Sequence, residues 1–193
     1  GATKGIGLAV ARKLLEEGYF VVVTYAHDEL SAEACREELR RISPNFEVVR
    51  ADQSDKQAMR EFANKMLQKG HIECIVCNAG TTLRRELKDI TDEDWERTMQ
   101  VNLNSSLYLI RDLYDAIPHN SRIIFIGSLM GVHPHGTSLA YGVSKAAVHA
   151  LALNLVKSFE ATDTTVNAIA PGFVETEWQA SKPAEIRQNI YAK

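Results

Sequence analysis

Tyr141 and Lys145 are the two residues whose types and spacing most clearly suggest chemistry. Because they are four positions apart, they lie on one face of any helix that contains both. A phenol loses its proton at a pKa of about 10, and a neighbouring ammonium group lowers that pKa by favouring the phenolate. Ser128, just after the apolar run 123–126, offers a hydroxyl that can hold a substrate oxygen beside the phenol. The three side chains together suggest proton transfer coupled to hydride transfer, although a Tyr above a Lys also occurs on ordinary solvated helix faces.

A second candidate site is the glycine-rich start of the chain, Gly1-Ala-Thr-Lys-Gly-Ile-Gly7. Glycines before a helix let the backbone approach a pyrophosphate, whose charge is stabilised by the positive end of the helix. The spacing differs from the common G-x-G-x-x-G, so a tightly packed helix-entry turn is the alternative. Such a loop normally follows the first strand of a doubly wound sheet, and no strand precedes it here. We therefore expect the chain to be part of a longer protein, lacking its first strand and a closing strand near its carboxyl end.

Helical and strand patterns alternate along the whole chain. The pattern predicts strands at 20–24, 46–49, 72–77, 122–126 and 165–170, with helices at 6–14, 34–42, 54–67, 91–107 and 140–159. Ser54 is predicted to open the third helix, and Thr91 the fourth through a capping box with Asp94. This alternation predicts one doubly wound parallel sheet of the Rossmann type, in a three-layer α/β/α single domain covering 1–193. The more polar residues 174–193 are predicted to form a substrate lid.

The charge balance excludes several classes of partner. The 193 residues carry 22 Lys and Arg against 25 Asp and Glu, a formal net charge of -3, so there is no basic excess to bind nucleic acid or an anionic membrane. The apolar runs have the length of strands and fall short of the roughly 20 residues of a spanning helix. We predict a cytoplasmic protein with neither nucleic acid nor membrane as a partner.

The cysteines and histidines give little support for a metal or redox site. Cys74 and Cys77 form a Cys-x-x-Cys, which is either a redox or zinc pair or two buried strand residues, and the apolar neighbours favour burial. Three cysteines in a chain of this length suit a reducing compartment. His133 and His135 lack a nearby carboxylate or Cys partner, so no metal site is predicted and a substrate loop is favoured.

The catalytic motifs, taken in order, resemble the short-chain dehydrogenase/reductase family over essentially the whole chain. Ser128, Tyr141 and Lys145 match its catalytic serine and its Y-x-x-x-K. Asn102 falls where the family has a helix asparagine that supports a proton-relay water, although a polar position on an amphipathic helix is the alternative. The resemblance therefore implies four catalytic residues.

The cofactor motifs resemble the same family. The glycine-rich start is similar to the end of its T-G-x-x-x-G-x-G loop, and 77–80 is similar to its N-N-A-G with Cys77 in place of the first Asn. Residues 171–176 resemble the segment that holds a nicotinamide carboxamide. The resemblance implies cofactor contacts from Gly1, Thr3, Lys4, Gly5, Ile6, Gly7, Tyr25, Asp52, Gln53, Asn78, Ala79, Gly80, Tyr141, Lys145, Pro171, Gly172, Val174 and Thr176.

The end of the strand 20–24 favours NADP(H) over NAD(H). An NAD enzyme of this architecture has a carboxylate there for the ribose 2′-hydroxyl, whereas this strand ends at Tyr25 with no carboxylate before Asp28. Lys4 is expected to reach the 2′-phosphate, the alternative being a solvent-facing lysine. Asp52 is expected to meet the adenine, the alternative being a cap at the strand end before Ser54.

The resemblance implies an NADP(H)-dependent oxidoreductase that reduces a carbonyl to an alcohol, with Tyr141 as general acid and base. The compact spacing and the phosphate loop look most like the branch that reduces 3-oxoacyl groups on acyl carrier protein in fatty acid biosynthesis. A reductase or dehydrogenase of another small ketone, sugar or polyol remains open, as does a catalytically silent nucleotide-binding regulator. Arg122 is either a carrier-protein contact or a strand-edge arginine in solvent.

The predicted helices near Thr91 and Ala140 carry more apolar positions than one sheet face can bury. We therefore predict a homotetramer or homodimer, the alternative being that the tail covers both helices. Trp95 is predicted to be a core residue.

Overall fold

The computed structural model describes residues 1–134 and 136–176, which belong to two compact units. Of the described residues, the first unit contains Gly1–Arg50 and 172–176, and the second contains 51–134 and 136–171. His135 and most of the predicted lid, 177–193, lie outside the described residues.

The first unit is built on two parallel strands and two helices. Its elements are α1 Gly5–Glu16, β1 Val21–Tyr25, α2 Glu29–Arg40 and β2 Phe46–Arg50. The strands pair in register from Val21 opposite Phe46 to Tyr25 opposite Arg50. Leu15 of α1, Leu39 of α2 and Val23 of β1 are almost completely buried together. These apolar contacts fix α1, and with it the glycine-rich loop, against the end of β1.

The second unit is built on a three-stranded parallel sheet. Its elements are α3 Lys56–Leu67, β3 Cys74–Cys77, α4 Asp92–Met99, α5 Ser105–Asp112, β4 Arg122–Ile126, α6 Leu139–Leu155 and β5 Thr165–Ile169. The strand order is β3-β4-β5, so β4 is central, and its Ile123 and Phe125 are fully buried. Parallel strands end at the same edge of a sheet, which collects the loops after β3, β4 and β5 at that edge.

The parallel α/β alternation predicted from the sequence is confirmed, with three differences. The five strands form two sheets and not one: β1 pairs with β2, and β3, β4 and β5 form the second sheet. The third helix is capped by Asp55, whose carboxylate accepts from the N–H groups of Gln57 and Ala58, and Ser54 precedes that cap. The strand β3 begins at Cys74, two residues later than predicted.

The helix predicted at 91–107 is interrupted by a π-helical segment, Gln100–Asn104, between α4 and α5. Its start is as predicted, since the Thr91 hydroxyl accepts from the N–H of Asp94. Single π turns inside helices are rare and are frequently found at functional sites.

The length of the apolar stretch in α6 corrects the prediction that every apolar run falls short of a membrane-spanning helix. By length and composition alone, Leu139–Phe159 is long and apolar enough to cross a membrane, and it is the one such stretch in 1–134 and 136–176. Core helices of water-soluble proteins pass the same test, and α6 packs on β4 and β5 with Val148 and Ala152 buried. Trp95 of α4, predicted to be in the core, is 36% exposed.

Candidate active site

Ser128 lies at the carboxyl end of the central strand β4, as predicted, and is only 7% exposed. Its hydroxyl accepts from the N–H of Met130 at 3.1 Å and so caps a short 3-10 turn, Leu129–Gly131. A Cβ on Gly131 would lie 2.7 Å from the backbone nitrogen of Ala146, so only glycine allows this turn to lie directly against α6. The turn therefore fixes Ser128 next to the helix that carries Tyr141 and Lys145.

Lys145 is buried in the middle of α6, with 4% of its surface exposed. Its Nζ donates to the carbonyl of Ile126 at 2.6 Å and lies 5.8 Å from the centroid of the Tyr141 ring. Burial lowers the pKa of Lys145 to about 8, with the nearby Cys77 thiol acting in the opposite direction. The ammonium group is therefore still charged at neutral pH, and it is held at the end of β4.

Tyr141 departs in one respect from what the sequence predicts. Its pKa lies above the ordinary value, because burial disfavours the phenolate, while a side-chain hydrogen bond with Ser128 acts in the lowering direction. The expected lowering by Lys145 is not found, since the Lys145 Nζ is bonded to Ile126 and faces the ring. In this state the phenol is a protonated acid, hydrogen-bonded to Ser128.

Asn102 is buried in the π-helical segment, with 2% of its surface exposed. Its Oδ1 accepts from the N–H of Thr81 at 2.7 Å, and its Nδ2 donates to the Thr81 carbonyl and the Ser144 hydroxyl, both at 2.9 Å. Ser144 in turn donates to the carbonyl of Tyr141 at 2.7 Å. Asn102 therefore ties the loop after β3 to the first turn of α6, instead of occupying an ordinary amphipathic position.

The loop after β3, with Asn78, Ala79 and Gly80, borders the same cluster. A Cβ on Gly80 would lie 3.3 Å from the Asn102 Oδ1 and 3.6 Å from the Lys145 Nζ. The loop backbone therefore passes directly over these two side chains. Cys77, in place of the first Asn of the family motif, ends β3 just before this loop.

Cys74 and Cys77 behave as strand residues. Residues three apart on a strand point to opposite faces of the sheet, so these two thiols do not face each other. Burial raises the pKa of Cys74 and raises that of Cys77 to about 11, whereas a reactive thiol needs a lowered pKa. These observations speak against the redox or zinc pair.

The glycine-rich loop lies in the first unit and leads directly into α1. Gly5 has a φ of 57°, a conformation that favours glycine, and a Cβ there would lie 3.4 Å from Thr176. The N–H of Ala2 donates to the Thr24 carbonyl, and Thr3 is buried. The Lys4 side chain does not cap the start of α1, and the first-turn N–H groups of a helix are a favourable place for an anion.

Charged groups surround the end of β1. The Lys4 Nζ is paired with the Asp28 Oδ2 at 2.8 Å, and the same carboxylate caps α2 by accepting from the N–H of Ser31 at 3.0 Å. Tyr25 is buried and its hydroxyl donates to Glu29 at 2.7 Å. Arg50, opposite Tyr25 on β2, donates from Nε to the Ala26 carbonyl at 3.0 Å.

Asp52 and Gln53 start the second unit after β2. The Asp52 Oδ1 accepts from the N–H and the hydroxyl of Ser54 at 2.9 and 2.8 Å, which is the capping arrangement set as the alternative to an adenine contact. The Gln53 Oε1 accepts from the Ser105 hydroxyl at 2.9 Å, and its carbonyl accepts from the Gln100 side chain. Gln53 thereby supports the π-helical segment that holds Asn102.

The segment predicted to hold a carboxamide is divided between the units. The Pro171 carbonyl accepts from the N–H of Leu129 at 3.0 Å, beside Ser128. Gly172, Val174 and Thr176 belong to the first unit, where Thr176 lies next to Gly5 and Val174 is 41% exposed.

Two residues near these sites were missed from the sequence. Arg50 is a basic residue at the end of a predicted strand, which was a usable signal for an anion site. His149 lies on α6 and accepts a hydrogen bond from Ser128. Its spacing from Tyr141 and Lys145, four residues at each step, would have placed it on the same helix face.

A family model and curated relatives match most of the chain. The family model for short chain dehydrogenase matches residues 1–187. An uncharacterized oxidoreductase of Staphylococcus epidermidis is 30% identical over 179 residues, covering 91% of this chain and 76% of that protein. Versicolorin reductase 1 of Aspergillus parasiticus is 31% identical over 182 residues, covering 92% of this chain and 68% of that protein.

A solved structure confirms the Rossmann-like α/β fold. The crystal structure of a short chain dehydrogenase from Burkholderia cenocepacia, in complex with NADP, has a TM-score of 0.90 and 25% identity over 97% of this chain and 78% of that chain. Given the family match over almost its whole length, the chain belongs to the short-chain dehydrogenase family of oxidoreductases.

Proposed function

We propose that the protein is an NADP(H)-dependent reductase that converts a carbonyl group to an alcohol. One arrangement carries this proposal: the Tyr141 phenol lies within hydrogen-bonding reach of Ser128, and the buried Lys145 lies over its ring on the same helix face. An acid, a second hydroxyl and a fixed positive charge are what a carbonyl oxygen needs as it gains negative charge.

The glycine-rich loop fits the pyrophosphate of the cofactor. The open N-terminus of α1, the positive φ of Gly5 and the nearby Lys4 supply N–H groups, close backbone approach and a positive charge. Over the catalytic cluster, Gly80 leaves space above Asn102 and Lys145 that a side chain would fill. The Burkholderia relative holds NADP, which supports the same cofactor here. When bound, the cofactor supplies the hydride.

The chain's own residues would then complete the reduction. The Ser128 hydroxyl donates to the substrate carbonyl oxygen and holds it beside Tyr141. As the carbonyl carbon accepts the hydride, the oxygen gains the charge of an alkoxide, and Tyr141 transfers its phenolic proton to that oxygen. The Lys145 ammonium stabilises the phenolate left behind. Asn102 keeps the first turn of α6 in place through Ser144.

For the substrate we propose a 3-oxoacyl thioester carried by acyl carrier protein, from the resemblance of the motif spacing to that branch. The match to a versicolorin reductase shows that relatives act on other compounds, so the choice needs a direct test. Arg122 does not support a carrier contact. It stands at the start of β4, the end away from Ser128, and its Nη1 donates to the carbonyls of Asn120 and Ser121.

A substrate screen that follows NADPH oxidation tests the reaction class and the substrate together. Acetoacetyl-N-acetylcysteamine, a small 3-oxoacyl thioester, is compared with simple ketones, sugars and polyols, and the alcohol product is identified by mass spectrometry. We expect the thioester to be reduced most efficiently, with one alcohol formed for each NADPH. Faster turnover of a sugar or simple ketone would show that the substrate is not a 3-oxoacyl thioester. Tight NADPH binding without any turnover would favour a nucleotide-binding regulator.

We further propose that the protein acts in the cytoplasm as a homodimer or homotetramer joined through α5 and α6. Leu107 of α5 is 37% exposed, and Leu139, Val143 and Leu153 of α6 are 38%, 43% and 74% exposed. Exposed apolar side chains on these two helices are costly in water and favour a second copy as their cover. Light scattering is expected to give a dimer or tetramer at micromolar concentration, and a monomer alone would contradict this assembly.

A further inference from the structure

His149 makes a direct contact with the candidate active site that the mechanism above does not use. Its Nε2 accepts a hydrogen bond from the backbone N–H of Ser128 at 3.3 Å. Ser128 itself is hydrogen-bonded to Tyr141. Successive turns of α6 thus carry the acid, the ammonium group and an imidazole that holds the serine backbone.

Gly127 shows how closely the imidazole fits. A Cβ on Gly127 would overlap the His149 Nε2 and would also lie 3.1 Å from the carbonyl oxygen of Ile169. The N–H of Gly127 donates to that same carbonyl at 2.7 Å. The backbone of Gly127, between β4 and Ser128, is therefore bonded to β5 and lies directly against the ring of His149.

The hydrogen bond specifies the state of the imidazole. An N–H donor needs an unprotonated Nε2, so the ring proton must be on Nδ1. Burial, followed by the charge of Lys145 on the same helix, lowers the pKa of His149 and keeps the ring neutral at neutral pH. The neighbouring segments after β4 and at the end of β5 present backbone atoms of Gly127 and Ile169 to it. The environment therefore preserves the acceptor.

We propose that His149 is a positioning residue, which holds the backbone of Ser128 so that its hydroxyl stays in line with Tyr141. This role rests on the proposed reductase function. Ser128 Oγ has to reach both the substrate oxygen and the phenol, and a small displacement of a positioned group costs much of its effect. His149 touches neither substrate nor cofactor in this role and acts through Ser128 alone.

Variants at position 149 separate an acceptor role from simple packing. In His149→Gln the amide oxygen lies the same number of bonds from Cβ as Nε2, whereas in His149→Asn it lies one bond short. We expect kcat for acetoacetyl-N-acetylcysteamine to fall about tenfold in His149→Ala and His149→Asn and to be largely restored in His149→Gln. The NADPH dissociation constant should change less than about twofold, because the cofactor contacts are untouched. His119→Ala, at an exposed histidine, is the matched control.

Gly127→Ala gives a second test of the same contact. The added methyl group would displace the imidazole, so this variant should lose kcat to a similar extent. Combined with His149→Ala it should cost little more, because the overlap is then relieved. Fully additive losses in the double variant would overturn the proposal.

Nitrogen NMR of the imidazole reads the hydrogen bond without any turnover. We expect an unprotonated Nε2 at neutral pH in the wild type. A protonated Nε2, or wild-type kcat in His149→Ala, would overturn the positioning role. If Tyr141→Phe keeps its turnover, the reductase mechanism fails, while the NMR result still reports on the contact between His149 and Ser128.

Discussion

Lys4, at the start of α1, and Lys145, in the middle of α6, are both proposed as cofactor contacts but lie in opposite environments. The side chain of Lys4 is 54% exposed and paired with Asp28, itself 45% exposed. Lys145 is 4% exposed and bonded to a backbone carbonyl. The first ion pair is screened by water and can exchange partners, whereas the second lysine has no room to move.

The same contrast holds for the two regions that carry these lysines. Around Lys145, the Asn102 side chain and the Ser144 hydroxyl form a buried chain of hydrogen bonds that fixes α6 to the loop after β3. Around Lys4, the polar groups are half exposed and the helix start has no side-chain cap. A rigid cluster suits proton transfer, which depends on distances, and an open loop suits a charged ligand that must enter and leave.

In the region around Lys145, the substitution with the largest expected effect on turnover is Tyr141→Phe. Removal of the phenolic proton donor should lower kcat about 1,000-fold, because the proton is needed in the transition state. The NADPH dissociation constant should change little, since the ring remains. Tyr114→Phe is the matched control, because the Tyr114 hydroxyl donates to the Ser158 carbonyl away from the cluster. Wild-type turnover by the Tyr141 variant would show that another group supplies the proton.

The buried charge of Lys145 should appear in the pH dependence of stability. The folded-state pKa is about 8 against an ordinary value of 10.5, so the unfolded chain binds more protons between these values and stability rises with pH there. From about pH 7 to about pH 9, this group should raise the free energy of unfolding by about 1 kcal/mol. Urea unfolding measures the effect, and Lys145→Met should remove it.

Two controls isolate that slope. The thiols of Cys35, which is buried, and Cys77, which is partly buried, have pKa values raised to about 11 and contribute the opposite slope above their ordinary pKa. They remain in both proteins, so the difference between wild type and Lys145→Met reports on the lysine. Lys157→Met, at an exposed lysine paired with Glu160, should leave the slope unchanged. An equal slope in the Lys145 variant would mean that this lysine is not buried in its charged form.

For the region around Lys145, the sequence predicts which residues take part better than it predicts the contacts between them. Tyr141, Lys145 and Ser128 follow from helix spacing and a strand end, and both signals are local. The π-helical segment at Asn102, the bond from Lys145 to Ile126 and the contact of His149 with Ser128 depend on how α6 packs on β4. Such packing joins residues that are far apart in the chain, so periodicity cannot specify it.

The region around Lys4 can be predicted from the sequence for a different reason. The glycine-rich loop and the absence of an early carboxylate after β1 are written in the sequence, because they depend on backbone conformation and residue type. What the sequence does not specify is how surface charges pair. Asp28 binds Lys4 and caps α2 at once, and Arg50 reaches across from β2 to Ala26. These pairings follow from the register of two strands and the entry angle of a helix.

The smallest expected effect, and the sharpest test of the exposed region, concerns cofactor choice. We predict that NADPH binds more tightly than NADH, because a 2′-phosphate can replace the Asp28 carboxylate as the partner of Lys4. Lys4→Ala should raise the NADPH dissociation constant about fivefold, a modest effect because the contact is exposed and screened by water. The NADH dissociation constant should be nearly unchanged. Asp28→Asn keeps an amide oxygen that can cap α2 but removes the competing charge. It should therefore lower the NADPH dissociation constant, and this gain should disappear when it is combined with Lys4→Ala.

Lys13→Ala, which breaks a similar exposed pair with Glu17 at the other end of α1, controls for general electrostatics. Titration of both cofactors by fluorescence measures all of these constants. Equal affinities, or tighter NADH, would show that the phosphate does not displace Asp28 and that the ion pair at Lys4 is structural.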